Sequence, residues 1–66
     1  MLSYEPMYKT MKNKKITTYA LIKRGINPRT LQNIKEGKGI TTYTLEKICT
    51  ILSCQPNDVI EFIDDK

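Results

Sequence analysis

Apolar residues recur at helical spacing in five short segments of the chain, each closed by a polar, Gly- or Pro-containing break. The first predicted helix runs from about Glu5 to Lys14. Tyr4, Met7, Tyr8 and Met11 form its buried stripe, with Ser3 placed as cap and Glu5 at the positive end of its dipole. The second spans about Thr18 to Arg24, capped by Thr17 or Thr18, with Ala20, Leu21 and Ile22 as its apolar content; Ile16 precedes it and Gly25 ends it. A connection of Gly25, Ile26 and Asn27 follows, in which Ile26 is the one apolar residue and is expected to plug into the core. Helix, short Gly-containing turn and helix is the helix-turn-helix pattern.

The third segment, residues 28–36, carries both of its end signals. Asn27 can accept from a free N-terminal amide, Pro28 suits the first helical position, and Gly37 suits the left-handed residue that closes a helix. Leu31 and Ile34 share one face; Arg29, Gln32, Asn33 and Glu36 share the other. Arg, Gln and Asn are the side chains that make paired hydrogen bonds to guanine and adenine edges in a major groove. Residues 38–41 form the next loop, and Thr41 or Thr42 caps a fourth helix that ends near Leu52 with the stripe Leu45, Ile48, Cys49, Leu52. Residues 55–58 open a fifth helical turn, with Pro56 first and Asp58 near its positive end. Val59, Ile60 and Ile63 can pack inward, although residues 61–63 alternate weakly and also fit a short strand. The expectation is an all-α, compact five-helix domain over residues 1–66.

Charge sharpens the picture. Residues 1–38 carry nine Lys or Arg against two Glu, a balance of +7, while residues 39–66 carry a balance of −3. A basic half joined to an acidic half points a field at a polyanion. Lys35 and Lys38 are candidates for phosphate neutralisation. Sixty-six residues leave no room for a deep substrate cavity. Without histidine, and with acids gathered toward the tail, the chain lacks the groups that general acid–base catalysis uses, so no enzyme activity is expected. Cys49 and Cys54 are too few for a zinc site, and Cys49 has a core spacing; neither metal, cofactor nor small-molecule ligand is expected, and a reducing, cytoplasmic setting fits best. No apolar run is long enough to span a membrane.

From about Met7 to Ile63 the chain resembles the phage repressor and Cro type of helix-turn-helix proteins, the XRE family. The carriers are Ala20-Leu21 ahead of Gly25, Ile26 in the turn, Thr30-Leu31 with Ile34, Glu36-Gly37-Lys38, residues 44–49 with Leu52, and the closing residues 54–62. The family usually places Leu before Ala ahead of the glycine. Here the order is reversed, so either the two exchange roles or the second helix is one residue shorter. The resemblance implies a third helix inserted in the major groove of a DNA operator. It implies base-reading positions at Pro28, Arg29, Gln32 and Asn33, a phosphate site at Thr17 or Thr18, and a second phosphate clamp at Lys38, Thr41, Thr42 and Tyr43. Tyr43 could equally fill a gap beside the fourth helix, and Tyr19 has the same two readings. Glu36, awkward near phosphates, could accept from cytosine N4 or pair with a neighbouring lysine; the preferred position is the groove's rim.

One reading helix spans few base pairs, so a homodimer on half-sites about 34 Å apart is expected. Val59, Ile60, Phe62 and Ile63 are its candidate interface, with a core lid in a monomer as the other reading of that tail. The function expected is a sequence-specific DNA-binding transcriptional regulator, a repressor in character. The alternative is a protein-interaction module, antitoxin-like or anti-repressor, that keeps the fold; non-specific nucleic-acid binding is a third possibility.

Overall fold

The computed structural model describes residues 1–64. A two-residue strand β1 (Leu2–Ser3) leads into α1 (Glu5–Lys14), α2 (Thr18–Lys23), α3 (Pro28–Lys35) and α4 (Thr42–Leu52). A 3-10 turn (Pro56–Asp58) and the strand β2 (Glu61–Phe62) follow. The molecule is therefore helical with four α-helices rather than five. The fifth segment is only one 3-10 turn, held by a reciprocal box in which the Gln55 amide donates to the Asp58 carboxylate at 3.2 Å. The tail takes the strand form: β2 pairs antiparallel with β1, Leu2 opposite Phe62 and Ser3 opposite Glu61.

The core draws on nearly every element. Tyr4, Met7, Met11, Leu21, Ile26, Ile34, Ile48, Leu52 and Val59 are buried, and Leu31, Leu45 and Cys49 pack against them half-buried. No polar side chain is buried among the described residues. Three expectations change. Tyr8 stands 44% exposed, because the side of α1 that meets the core is the narrower row Tyr4, Met7, Met11. Val59 packs inward, as one of its two readings had it, and being fully buried inside one chain it has no surface to offer an interface. Ile63 is exposed rather than inward. At the reversed pair, Leu21 takes the core position and Ala20 is half-buried, on a helix of six residues.

Each helix closes the same way. A residue of positive φ stands at or just after the cap, and two amides bend back onto carbonyls of the last turn. In α2 the Gly25 amide reaches Ile22 O and the Ile26 amide reaches Leu21 O, both at 3.0 Å; in α3 Gly37 reaches Ile34 O (3.0 Å) and Lys38 reaches Asn33 O (2.9 Å). Gly25 (φ +110°) and Gly37 (φ +78°) carry the positive φ there. In α1 and α4 the same position is held by side-chain-bearing residues, Lys15 (φ 57°) and Ser53 (φ 53°), with Ile16 donating to Met11 O and Cys54 to Cys49 O. The starts are less uniform. Thr17, Asn27 and Thr41 cap α2, α3 and α4 through their side chains. At α1 the cap position falls to Tyr4, whose side chain makes no cap bond, and Ser3 Oγ instead accepts the Glu5 amide at 3.2 Å.

Three polar ties lock the arrangement, two of them beside α3. The Tyr4 hydroxyl donates to the Lys38 carbonyl in the loop after α3. Lys47 Nζ on α4 donates to the Gly25 carbonyl at 3.0 Å, holding the α2–α3 turn. Thr10 Oγ1 on α1 donates to the Asp58 carbonyl at 2.9 Å, holding the 3-10 turn.

Candidate nucleic-acid interface

The exposed side of α3 is fixed by what its other side buries. Ile34 is in the core and Leu31 packs on it, so Arg29 and Gln32 are turned to solvent. Pro28 is exposed beside them, at the helix's first position, and Asn27 Oδ1 accepts the Arg29 amide at 2.8 Å. Asn33 differs from the other three candidates in being half-buried, at the edge of the exposed face. The helix is thus a capped, rigid rod with a guanidinium and an amide projecting from its first turns.

Candidate phosphate-binding residues lie on both flanks of that rod. On one side, Thr18 of α2 shares a groove of about 590 Å³ with Pro28, Gln32 and Lys35 of α3. On the other, Tyr43 and Thr44 at the start of α4 share a smaller cleft of about 170 Å³ with Asn27 and Thr30. Thr17, Thr18, Lys35, Lys38, Thr41, Thr42 and Tyr43 are all exposed. Two of these hydroxyls already have structural duties. Thr17 Oγ1 accepts the Ala20 amide at 3.2 Å, which leaves its proton free. Thr41 Oγ1 accepts the Thr44 amide and also donates to Thr44 Oγ1, both at 3.1 Å, so Thr42 is the freer donor of that pair. Tyr43 is 71% exposed. Tyr19 is also exposed, with the Lys23 ammonium 5.3 Å from its ring centroid.

At the far end of α3, Glu36 pairs with a neighbouring lysine. Its carboxylate receives Gln32 Nε2 at 2.9 Å and lies 3.1 Å from Lys38 Nζ. The Gln32 hydrogen bond, with Lys38 adding to it, holds the Glu36 carboxyl below the usual carboxylate range. One glutamate therefore occupies two groups, an amide and an ammonium, that are both candidate DNA contacts. The i, i+4 spacing of Gln32 and Glu36 was a signal for this contact in the sequence.

Away from α3, the apolar tail is divided. Phe62 is exposed, as is Ile63, while Ile60 is half-buried against the core. Cys49 and Cys54 are half-buried free thiols, and burial raises both above the ordinary thiol value. Among the described residues no helix is long and apolar enough to cross a membrane.

Two helices joined by a glycine-closed turn, the second capped, exposed and flanked by hydroxyls and lysines, define a helix-turn-helix domain. The chain belongs to the family of Cro/C1-type helix-turn-helix DNA-binding domains, whose family model matches residues 7–65. It is 43% identical over 44 residues, 64% of its length, to YozG of Bacillus subtilis (strain 168), described as an uncharacterized HTH-type transcriptional regulator. The chain spans about half of that relative, 52% of its length. Its fold matches the crystal structure of the transcriptional regulator VanUg with a TM-score of 0.87 at 22% identity, covering 97% of this chain and 87% of the other.

Proposed function

We propose that the protein is a sequence-specific, double-stranded-DNA-binding transcriptional regulator, a repressor in character, that reads the major groove with α3. The observation that carries this reading is the exposed guanidinium of Arg29 beside Gln32 on a capped helix flanked by candidate phosphate contacts. Arg29 is assigned to guanine O6 and N7, and Gln32 and Asn33 to adenine; a good bidentate pair discriminates by about 1–3 kcal/mol. Thr17, Thr18, Lys35, Lys38, Thr42 and Tyr43 are assigned to phosphates, which set register and supply affinity without reading sequence. Thr41 holds α4 in place and contributes there indirectly.

The protein acts as a homodimer in this reading. The exposed Phe62 and Ile63, with Ile60 behind them, lie on a two-stranded ribbon, and a second copy would cover that apolar surface. No catalytic role is assigned. The family and the likeness to the regulator YozG support the assignment, and so does the basic first half of the chain.

Selection from random duplex DNA is the test. It should enrich one motif arranged as two half-sites, and Arg29→Ala should relax a single base position in each half while leaving the rest of the motif intact. Equal binding to every sequence, or no binding at moderate salt, would instead favour a protein-interaction module that retains the fold.

A further inference from the structure

The groove between α1, α2 and α3 has a composition that base reading and the core do not account for. Tyr8 of α1 and Ile22 of α2 stand in it 44% and 37% exposed, apolar surface left open beside α3. Thr18, Pro28, Leu31, Gln32 and Lys35 complete the walls. The Tyr8 hydroxyl makes no hydrogen bond among the described residues, unlike that of Tyr4 one turn earlier. The polar groups facing the space are two hydroxyls, one amide and one ammonium, and no carboxylate lines it. Such a surface offers donors and positive charge along an apolar wall. It complements a polymer in which anionic phosphates alternate with apolar sugar faces. A free anion would use the ammonium but leave the apolar wall wet, and an apolar peptide would bury Lys35 without a partner.

We propose that this groove seats one sugar–phosphate strand of the bound duplex, with Tyr8 as a backbone contact supplied by α1. The inference rests on α3 entering the major groove. The Tyr8 hydroxyl donates to a non-bridging phosphate oxygen, its ring and Ile22 lie against the deoxyribose, and Lys35 neutralises charge from the opposite wall. The contact fixes how deeply α3 sits and carries no base information.

The test measures the affinity of the wild-type protein and of Tyr8→Phe, Tyr8→Ala, Lys35→Ala and Arg29→Ala for the selected motif and for a scrambled duplex between 50 and 200 mM salt. Tyr8→Phe keeps the ring, and thermal unfolding checks that it keeps the fold. It should weaken binding about tenfold on both duplexes with the salt slope unchanged, as the loss of one hydrogen bond to a charged group requires. Lys35→Ala should reduce the slope by about 0.9. A methylphosphonate at the contacted phosphate, located by ethylation interference, should erase the difference between wild type and Tyr8→Phe. If both Tyr8 variants bind like wild type while Arg29→Ala still relaxes the motif, the groove faces away from DNA and this inference alone fails. If the wild-type protein binds no duplex, the assignment of α3 fails and takes this one with it.

Discussion

Glu36→Gln is the sharpest perturbation of the proposed interface. In the free protein the Glu36 carboxylate is 3.1 Å from Lys38 Nζ and 2.9 Å from Gln32 Nε2. Amidation keeps the side chain's shape and removes its charge. Lys38 then loses its ion-pair partner and becomes available to a phosphate, while the negative charge nearest the DNA disappears. One added phosphate contact steepens the log–log salt slope by about 0.9, which over the fourfold range from 50 to 200 mM is about a 3.5-fold greater loss of affinity. The variant should therefore bind more tightly than wild type at 50 mM, on selected and scrambled duplexes alike, and lose most of that advantage by 200 mM. Fluorescence anisotropy titrations at four salt concentrations measure this directly. An unchanged slope, or weaker binding combined with relaxation at one base position, would refute the reasoning; the second result would mean that Glu36 accepts from a cytosine. Because its partners hold the carboxyl below the usual range, the wild-type slope should approach that of the variant only as pH falls through that lowered value.

Three further outcomes are expected. Lys15→Gly and Ser53→Gly, at left-handed helix ends, should each stabilise the fold by about 0.5–1 kcal/mol, since the side-chain clash exceeds the entropy glycine adds to the unfolded chain. In thermal unfolding this corresponds to about 4–8 °C per kcal/mol for a domain of this size. Burial, with Tyr8 adding, raises the Tyr4 phenol above its ordinary value, so the folded state holds that proton more tightly than the unfolded state. The stabilisation is complete below the ordinary phenol value and is lost as pH rises through the raised one; urea titrations of wild type and Tyr4→Phe should show this alkaline component only in wild type. Phe62→Asp should shift sedimentation from dimer to monomer without lowering thermal stability of the fold, because the ring is 82% exposed within one chain.

The elements that were legible in the sequence are those specified locally. Asn27, Pro28 and Gly37 mark α3 through the backbone geometry each imposes or satisfies, and the structure gives it residues Pro28–Lys35 with Asn27 as cap. Ile26 was readable as a core plug because it is the one apolar residue in that turn, and it is buried while Gly25 and Asn27 on either side are exposed. What could not be read depends on distant partners. Tyr8 has the same helical spacing as Met7 and Met11, and only the placement of α2 and α3 leaves it on a groove instead of in the core. Val59 and Phe62 are neighbours in an apolar tail, but pairing of β2 with β1, some sixty residues away in sequence, sends one inward and the other outward. Lys15 and Ser53 gave no sign of left-handed backbone, because glycine is the usual mark of it. Among the candidate site residues, the exposure of Arg29 and Gln32 was foreseeable from periodicity, and a lysine partner for Glu36 was one of its two readings; that the same carboxylate also takes Gln32 was signalled by spacing alone and depended on rotamers.

The closures of the four helices differ in one respect. At α1, α2 and α4 the residue that bends back is Ile16, Ile26 or Cys54, and it bends toward Met11, Leu21 or Cys49, so greasy side chains can snap those exits shut. At α3 the corresponding residues are Lys38 and Asn33, which are polar and leave its exit without that latch. The Tyr4 hydroxyl on the Lys38 carbonyl substitutes for it, reaching across from a residue 34 positions earlier in the sequence. Beyond its two backbone bonds, the last turn of α3 is thus tied by one oxygen atom that belongs to none of the proposed base-reading residues, and in that reading trimming it would loosen recognition while sparing each of them.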